Sequence, residues 1–154
     1  MSQMKTSRSR LLTCQVDNQW LALAVEELSE VVTPQRRTEM PLSPKSVNGL
    51  INLRGKILTE LDIRKILELP PREDETLYRT IILEGLDGEG FGLTVDAVGE
   101  VINMQVENYE STPDSLNDCW KSVCHGVLKQ DKGILIMLDV AKLIAKSMPE
   151  VPER

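Results

Sequence analysis

Cys119, Cys124 and His125 are the residues of this 154-residue chain whose types and spacing come nearest to a reactive site. Thiolate and imidazole donors at close spacing suggest zinc. A closed zinc site needs four donors, however, and Cys14 would have to supply the last from the far end of the chain. Attached haem takes two residues between its cysteines where this chain has four. His125 is the only histidine, so it is the one imidazole base open to a nucleophile, and no serine or acid is visibly arranged around it. An ordinary loop and strand is the better reading, with no metal and no cofactor. Asp62 and Asp139 resemble an acid/base pair in type only. Each opens a short stretch of helical apolar spacing, such as Ile63, Ile66 and Leu67, so both are expected to be helix N-caps that accept bonds from first-turn N–H groups. The glycines at Gly85, Gly88 and Gly90 surround an Asp87-Gly88 hairpin turn, where glycine supplies positive φ rather than a phosphate cradle. No catalytic set is expected, and the chain is not expected to be an enzyme.

Composition narrows the partners. The net charge is −6, and the aromatics are two Trp, two Tyr and one Phe. Neither favours a phosphate-binding surface or a stacking platform for single strands, so no nucleic acid is expected. No apolar run reaches the roughly 18 residues that span a bilayer, and the basic start has no apolar region after it to make a signal peptide. Three cysteines are an odd count and suggest no disulfide framework. A cytoplasmic protein without direct membrane contact, monomeric when isolated, is the expectation.

The elements that must position any site are short strands. Residues 1–10 read as a disordered tail. Leu11 to Val16 and Trp20 to Val25 make a hairpin around Asp17-Asn18, followed by a charged bend with Leu28 inward and a strand at Val31 to Thr33. Gln35 to Pro44 reads as a loop. The stretch from Gly49 runs through the turn Asn52-Leu53-Arg54-Gly55 into the strand Ile57 to Leu61, then a short helix capped by Asp62. Glu60 on that strand should point outward or else find a partner. A polar, proline-bearing linker covers 69–76. The second half then repeats the first. Leu11 to Val32 falls on Ile81 to Ile102 without a gap, and Gly49 to Leu67 falls on Gly126 to Ile144. Residues 107–122 read as a polar loop that absorbs the difference in length. One unit used twice, with about five short strands each time, points to an all-β fold. It consists of two interlocked five-stranded SH3-like β-barrels with short capping helices, sharing core because each is marginal alone. The boundaries are 11–68 for barrel one, 77–140 for barrel two, 139–147 for a C-terminal helix and 148–154 for a tail.

Gly49-Leu50-Ile51-Asn52-Leu53-Arg54-Gly55 with Leu61-Asp62-Ile63-Arg64, the bend Gly92 to Val101, and Gly126 with Leu138-Asp139 together resemble the CheW family of chemotaxis coupling proteins. The resemblance covers about 11–146 as a single CheW-like domain. It implies a non-enzymatic cytosolic scaffold that joins chemoreceptors of the methyl-accepting type to a CheA-type histidine kinase. It also implies an ion pair between Glu30 and Arg54. A groove between the barrels would take the helical tip of the receptor, with Leu28, Val31, Gly49, Arg54 and Gly55 from one side and Val98 and Gly126 from the other. The regulatory domain of the kinase would meet barrel one near Glu30, Val32, Arg36 and Arg37.

Thr59-Glu60 departs from the family pattern, where Pro and an apolar residue usually follow the turn, and Ala22 replaces a common Gly. A scaffold for a non-flagellar pathway, such as pilus motility, surface sensing or gene regulation, fits the same residues. A small β-barrel enzyme or ligand carrier is the rival from another class, and it lacks convergent His, Cys or carboxylate groups. The second copy of the repeat puts Lys129-Gln130-Asp131-Lys132 where the first has Asn52-Leu53-Arg54-Gly55, so that turn is where the specific function is expected.

Overall fold

The computed structural model describes residues 10–84, 90–131 and 133–147. The Asp87-Gly88 turn, Lys132 and the expected tails beyond Arg10 and Ser147 lie outside the described residues. Runs of Val, Ile, Leu and Thr put most of the chain into strands. The first half forms β1 (Arg10–Val16), β2 (Gln19–Ala24), β3 (Leu28–Val32), β4 (Arg37–Thr38), β5 (Val47–Leu53) and β6 (Lys56–Asp62). The second half forms β7 (Arg79–Glu84), β8 (Gly90–Val95), β9 (Ala97–Asn103), β10 (Tyr109–Glu110), β11 (Cys124–Gln130) and β12 (Gly133–Leu138). Three short helices are α1 (Ile63–Ile66), α2 (Asp118–Lys121) and α3 (Val140–Ser147).

The strands make two six-stranded sheets whose orders are copies of each other. The first sheet runs β4-β5-β6-β8-β7-β3, and the second runs β10-β11-β12-β2-β1-β9. In each, five longer strands are joined by a two-residue sixth, β4 or β10. Replacing every strand by its repeat counterpart turns one order into the other. The sheets nevertheless do not follow the halves of the chain. The hairpin β1–β2 belongs with β9 to β12, and the hairpin β7–β8 belongs with β3 to β6. Two parallel ladders make the exchange, β2 with β12 and β8 with β6. The expected division into 11–68 and 77–140 is therefore a boundary in the repeat and not between sheets. Each half covers an edge that the other would leave with unpaired N–H and C=O groups.

The exchange also explains the core. The largest apolar cluster lies between the sheets and takes Leu21, Leu61, Ile81, Leu93, Val127 and Leu138 from both. Smaller clusters lie within the curl of each sheet. Ile51, Leu58 and Ile82 fill the first, and Leu11, Leu128 and Leu135 fill the second. Ile51 and Leu58 are the repeat counterparts of Leu128 and Leu135. Each fully buried Leu or Ile contributes about 1.5–3 kcal/mol relative to an exposed one, so the shared cluster is what holds the halves together.

Several connections differ from the expectation. The segment 35–44 contains β4 instead of being loop throughout. The segment 107–122 contains β10 and α2, and α2 buries Trp120 against the main core while Asn117 caps it by accepting from Trp120 N–H at 3.0 Å. The linker 69–76 is not a free tether, because Leu69 packs on the core and the Arg72 side chain is 9% exposed. Glu60 does not point outward. It is 1% exposed and has found its partners in Arg37, whose Nε donates to Oε1 at 2.6 Å, and in Thr94, whose hydroxyl donates to Oε2 at 2.5 Å. Side chains alternate along β6, and Leu58 and Glu60 share the inward face, so the strand period itself turns Glu60 in.

Candidate functional site

The turn Asn52-Leu53-Arg54-Gly55 joins β5 to β6 at one end of the first sheet. Its shape is local chemistry. Asn52 Oδ1 accepts from Gly55 N–H at 2.9 Å, and Arg54 and Gly55 sit at φ values of 53° and 87°. Asn tolerates closing its own turn, and Gly takes positive φ without steric cost. This conformation holds the Arg54 side chain over the sheet, where Nη2 donates to Glu30 on β3. β3 lies at the opposite end of the strand order from β5, so the pair closes the curl of the sheet. Beneath it is a cleft lined by Leu53, Lys56, Leu58 and Ile82. The pair is open to water, with side-chain exposures of 68% for Arg54 and 32% for Glu30. An exposed pair contributes about 0–1 kcal/mol, so its place is better explained by what it presents than by stability.

The other residues nominated for the groove separate into two groups. Leu28 on β3 and Val98 on β9 are repeat counterparts, both half-buried and both packed on the core between the sheets. Val31 remains 39% exposed beside Glu30. Gly49 and Gly126, by contrast, are buried backbone positions at matching bulges in β5 and β11. A Cβ on Gly49 would lie 2.5 Å from the Thr38 carbonyl oxygen, and one on Gly126 would lie 2.5 Å from the Tyr109 ring. With φ near 150° at both, each lets a short edge strand lie flat on its neighbour. Of the residues nominated for a kinase, Glu30 and Val32 lie on β3 and Arg36 is exposed. Arg37 is not a free cation: besides Glu60, its Nη2 donates to the Tyr78 hydroxyl at 3.1 Å.

Asp62 and Asp139 behave alike. Asp62 Oδ1 accepts from Arg64 N–H at 3.0 Å, and Asp139 Oδ1 accepts from Lys142 N–H at 3.1 Å. Their own N–H groups donate to the matching carbonyls of Ser46 and Val123, at 3.0 and 2.8 Å. Cys124 and His125 face opposite sides of β11, the first buried beside the Thr112 hydroxyl and the second stacked on Tyr109. Among the described residues no three His, Cys, Asp or Glu side chains converge as metal ligands would, and no helix is long and apolar enough to cross a membrane.

One cluster was missed from the sequence. Asp96, at the β8–β9 junction, accepts from Arg64 Nε and Nη2 at 3.0 and 2.8 Å and from the Asp17 N–H at 2.8 Å. Arg72 from the linker makes a forked contact to Asp62 at 3.0 and 3.2 Å. Its Nε lies 2.9 Å from Asp96 Oδ1 without the alignment of a hydrogen bond, so that contact is electrostatic only. The cluster ties the β1–β2 turn of the second sheet to α1, the linker and the first sheet. Burial alone would push the Asp96 carboxyl up, but the bonds from Arg64 and Asp17 and the charges of both arginines hold it below the usual range. The one signal available was Arg64, whose repeat counterpart is Ala141; Asp96 falls on Glu26 and gives none.

Comparison with known proteins places the chain in one family. The family described as CheW-like domain matches residues 10–148. The chain is 29% identical to the chemotaxis protein CheW of Bacillus subtilis, with 99% of this chain and 98% of that one covered. It is 30% identical to the chemotaxis protein CheW of Thermotoga maritima, covering 87% and 86%. The crystal structure of scaffolding protein TtCheW from Thermoanaerobacter tengcongensis superposes with a TM-score of 0.77 at 30% identity, covering 86% of this chain and 89% of that one. With the family match spanning residues 10–148 and the repeat folded as two six-stranded sheets of matching order, the chain belongs to the CheW-like domain family.

Proposed function

We propose that the protein is a cytoplasmic, non-enzymatic scaffold that couples chemoreceptors to a CheA-type histidine kinase. The observation that carries this reading is the turn Asn52 to Gly55. It spends two positive-φ residues and an ion pair on a structure that contributes little stability and stands in water. The helical tip of the receptor would lie between the sheets, over Leu28 and Val98, with Val31, Arg54 and Gly55 on its rim. Gly49 and Gly126 would act indirectly, by letting β4 and β10 lie on their sheets. The regulatory domain of the kinase would meet β3 near Glu30 and Val32, together with Arg36. Arg37 would act there by holding β4 down through Glu60.

A scaffold of this kind acts only through differential binding to the on and off states of its partners. Rigid presentation of both surfaces on one shared core lets receptor conformation bias the kinase. The test is binding of the full chain to a receptor cytoplasmic fragment and to a CheA-type regulatory domain. Leu28→Glu and Arg54→Ala should each weaken at least one interaction while leaving the circular dichroism spectrum unchanged. Full binding by both variants would overturn the assignment of the site, and no binding by the unmodified protein would overturn the scaffold reading.

A further inference from the structure

The cleft under Glu30 and Arg54 has a counterpart on the second sheet. The repeat carries Glu30 to Glu100, Arg54 to Asp131, Leu58 to Leu135 and Gly90 to Trp20, and the counterparts line one cleft together with Ile134 and Gly99. Two substitutions change its chemistry. Where the first cleft is closed by a carboxylate and a guanidinium, the second is lined by the two carboxylates of Glu100 and Asp131. Neither makes an ion pair among the described residues, and nearby Lys129 is held by Glu110 at 2.9 Å. The backbone under Glu100 is fixed, because its carbonyl accepts from the Thr13 hydroxyl at 2.8 Å.

The second change is apolar. Trp20 occupies the position of Gly90, and its ring lies on Gly99 so closely that a Cβ there would be 2.8 Å from the ring. The ring is nevertheless 40% exposed, and Ile134 across the cleft is 39% exposed. A flat aromatic face, an aliphatic neighbour and two carboxylates form a complementary set for one kind of group. A guanidinium can stack on the indole and bond a carboxylate, while aliphatic side chains beside it cover Ile134.

We propose that this second cleft docks a partner segment presenting an arginine beside aliphatic side chains, the guanidinium taking beside Glu100, in trans, the place that Arg54 takes beside Glu30 in cis. The cleft is distinct from the receptor surface between the sheets over Leu28 and Val98 and from the kinase surface at β3, and its proposal stands or falls separately. Charge complementarity selects the occupant: an acidic segment would face two like charges, and a purely apolar one would bury both carboxylates without a partner.

The probe is a synthetic peptide of sequence Ile-Asn-Leu-Arg-Gly-Lys-Ile, the chemistry of residues 51–57 of this chain, titrated into the full-length protein with amide and indole NMR signals followed. Shifts are expected at Trp20, Gly99, Glu100 and Ile134, saturating at or below about 5 mM and weakening as salt rises. A peptide with Gln in place of Arg should bind at least about tenfold more weakly. Asp131→Arg should restore the cis pair, close the cleft and abolish the shifts, with first-sheet amides unchanged. Should that variant fail to fold, Glu100→Gln serves the same purpose and should weaken binding at least about fivefold. Lys132→Ala removes the adjacent cation and should leave binding as tight or tighter. Shifts centred on the first sheet, no shifts at the highest concentration, equal binding of the Gln peptide, or binding by Asp131→Arg or Glu100→Gln as tight as wild type would each overturn the proposal. Loss of binding in Lys132→Ala would do the same.

Discussion

Replacing Arg37 with Met leaves the Glu60 carboxylate inside the first sheet without its counter-ion. The two charges are 2.6 Å apart, with side-chain exposures of 33% and 2%. At an effective dielectric of 20 their gross attraction is about 6 kcal/mol, offset by the cost of removing both from water. Breaking a buried pair from one side costs about 3–5 kcal/mol. Here the figure is reduced because Arg37 is one-third exposed and because Thr94 still donates to Glu60 at 2.5 Å. The expected loss is about 2–3 kcal/mol. Glu60→Leu combined with Arg37→Met should cost less than Arg37→Met alone, since no charge is then left buried. Urea unfolding of both single variants and the double variant forms a cycle whose coupling should be at least about 1.5 kcal/mol, provided the m-values agree. A coupling below about 0.5 kcal/mol would show that water reaches Glu60 freely, and the account of β4 being held down by Arg37 would fail.

Other outcomes follow from the same structure. Asp96 is held below its usual carboxylate range, so the stability that it contributes is present above its unfolded value, near pH 4, and is lost as pH falls through its lower folded value. Asp96→Asn should therefore unfold more easily at neutral pH and show a flatter loss of stability between about pH 5 and 2, measured by urea melts across that range. Burial and the neighbouring Asp96 push the Cys14 thiol up to about 12, and Cys124 is also buried. An aromatic disulfide reagent at pH 8 should modify half-buried Cys119 in the native protein and reach the other two only on unfolding; fast labelling of Cys14 in native protein would contradict the core placement. Gly126→Ala should cost at least about 2 kcal/mol through the Tyr109 ring and the positive φ, and Tyr109→Ala should recover part of that in the double variant by removing the steric half, as read by thermal melts.

The features legible in the sequence were those that both copies of the repeat must satisfy. Asp62 and Asp139 cap because each begins a helix after a strand, and Gly49 and Gly126 recur because each bulge needs a backbone without a side chain. The hairpins β1–β2, β5–β6, β7–β8 and β11–β12 follow from turns and alternation, which are local. What stayed out of reach is non-local. The repeat shows that β2 resembles β8 but not that β2 pairs with β12, since that choice depends on which exposed edge is nearest in space. Whether Glu60 points outward or finds a partner is not legible, because its partner Arg37 lies in a segment with no strand signal of its own. The Asp96 cluster joins residues from four separate segments, and its members are ordinary charges until folding removes water from between them. On the first sheet the Glu30–Arg54 pair is expected from resemblance; its exposure, which sets its small energetic weight, depends on how the folded sheet curls.

The account rests most heavily on the turn Asn52 to Gly55 being kept for contact rather than for stability. The direct measurement is receptor-dependent kinase activity in a reconstituted mixture of receptor fragment, CheA-type kinase and this protein, with the stability of each variant measured in parallel. Arg54→Ala should change the unfolding free energy by no more than about 1 kcal/mol and remove most of the coupling between receptor and kinase. Full coupling by Arg54→Ala, or loss of coupling only in proportion to lost folding, would contradict the claim.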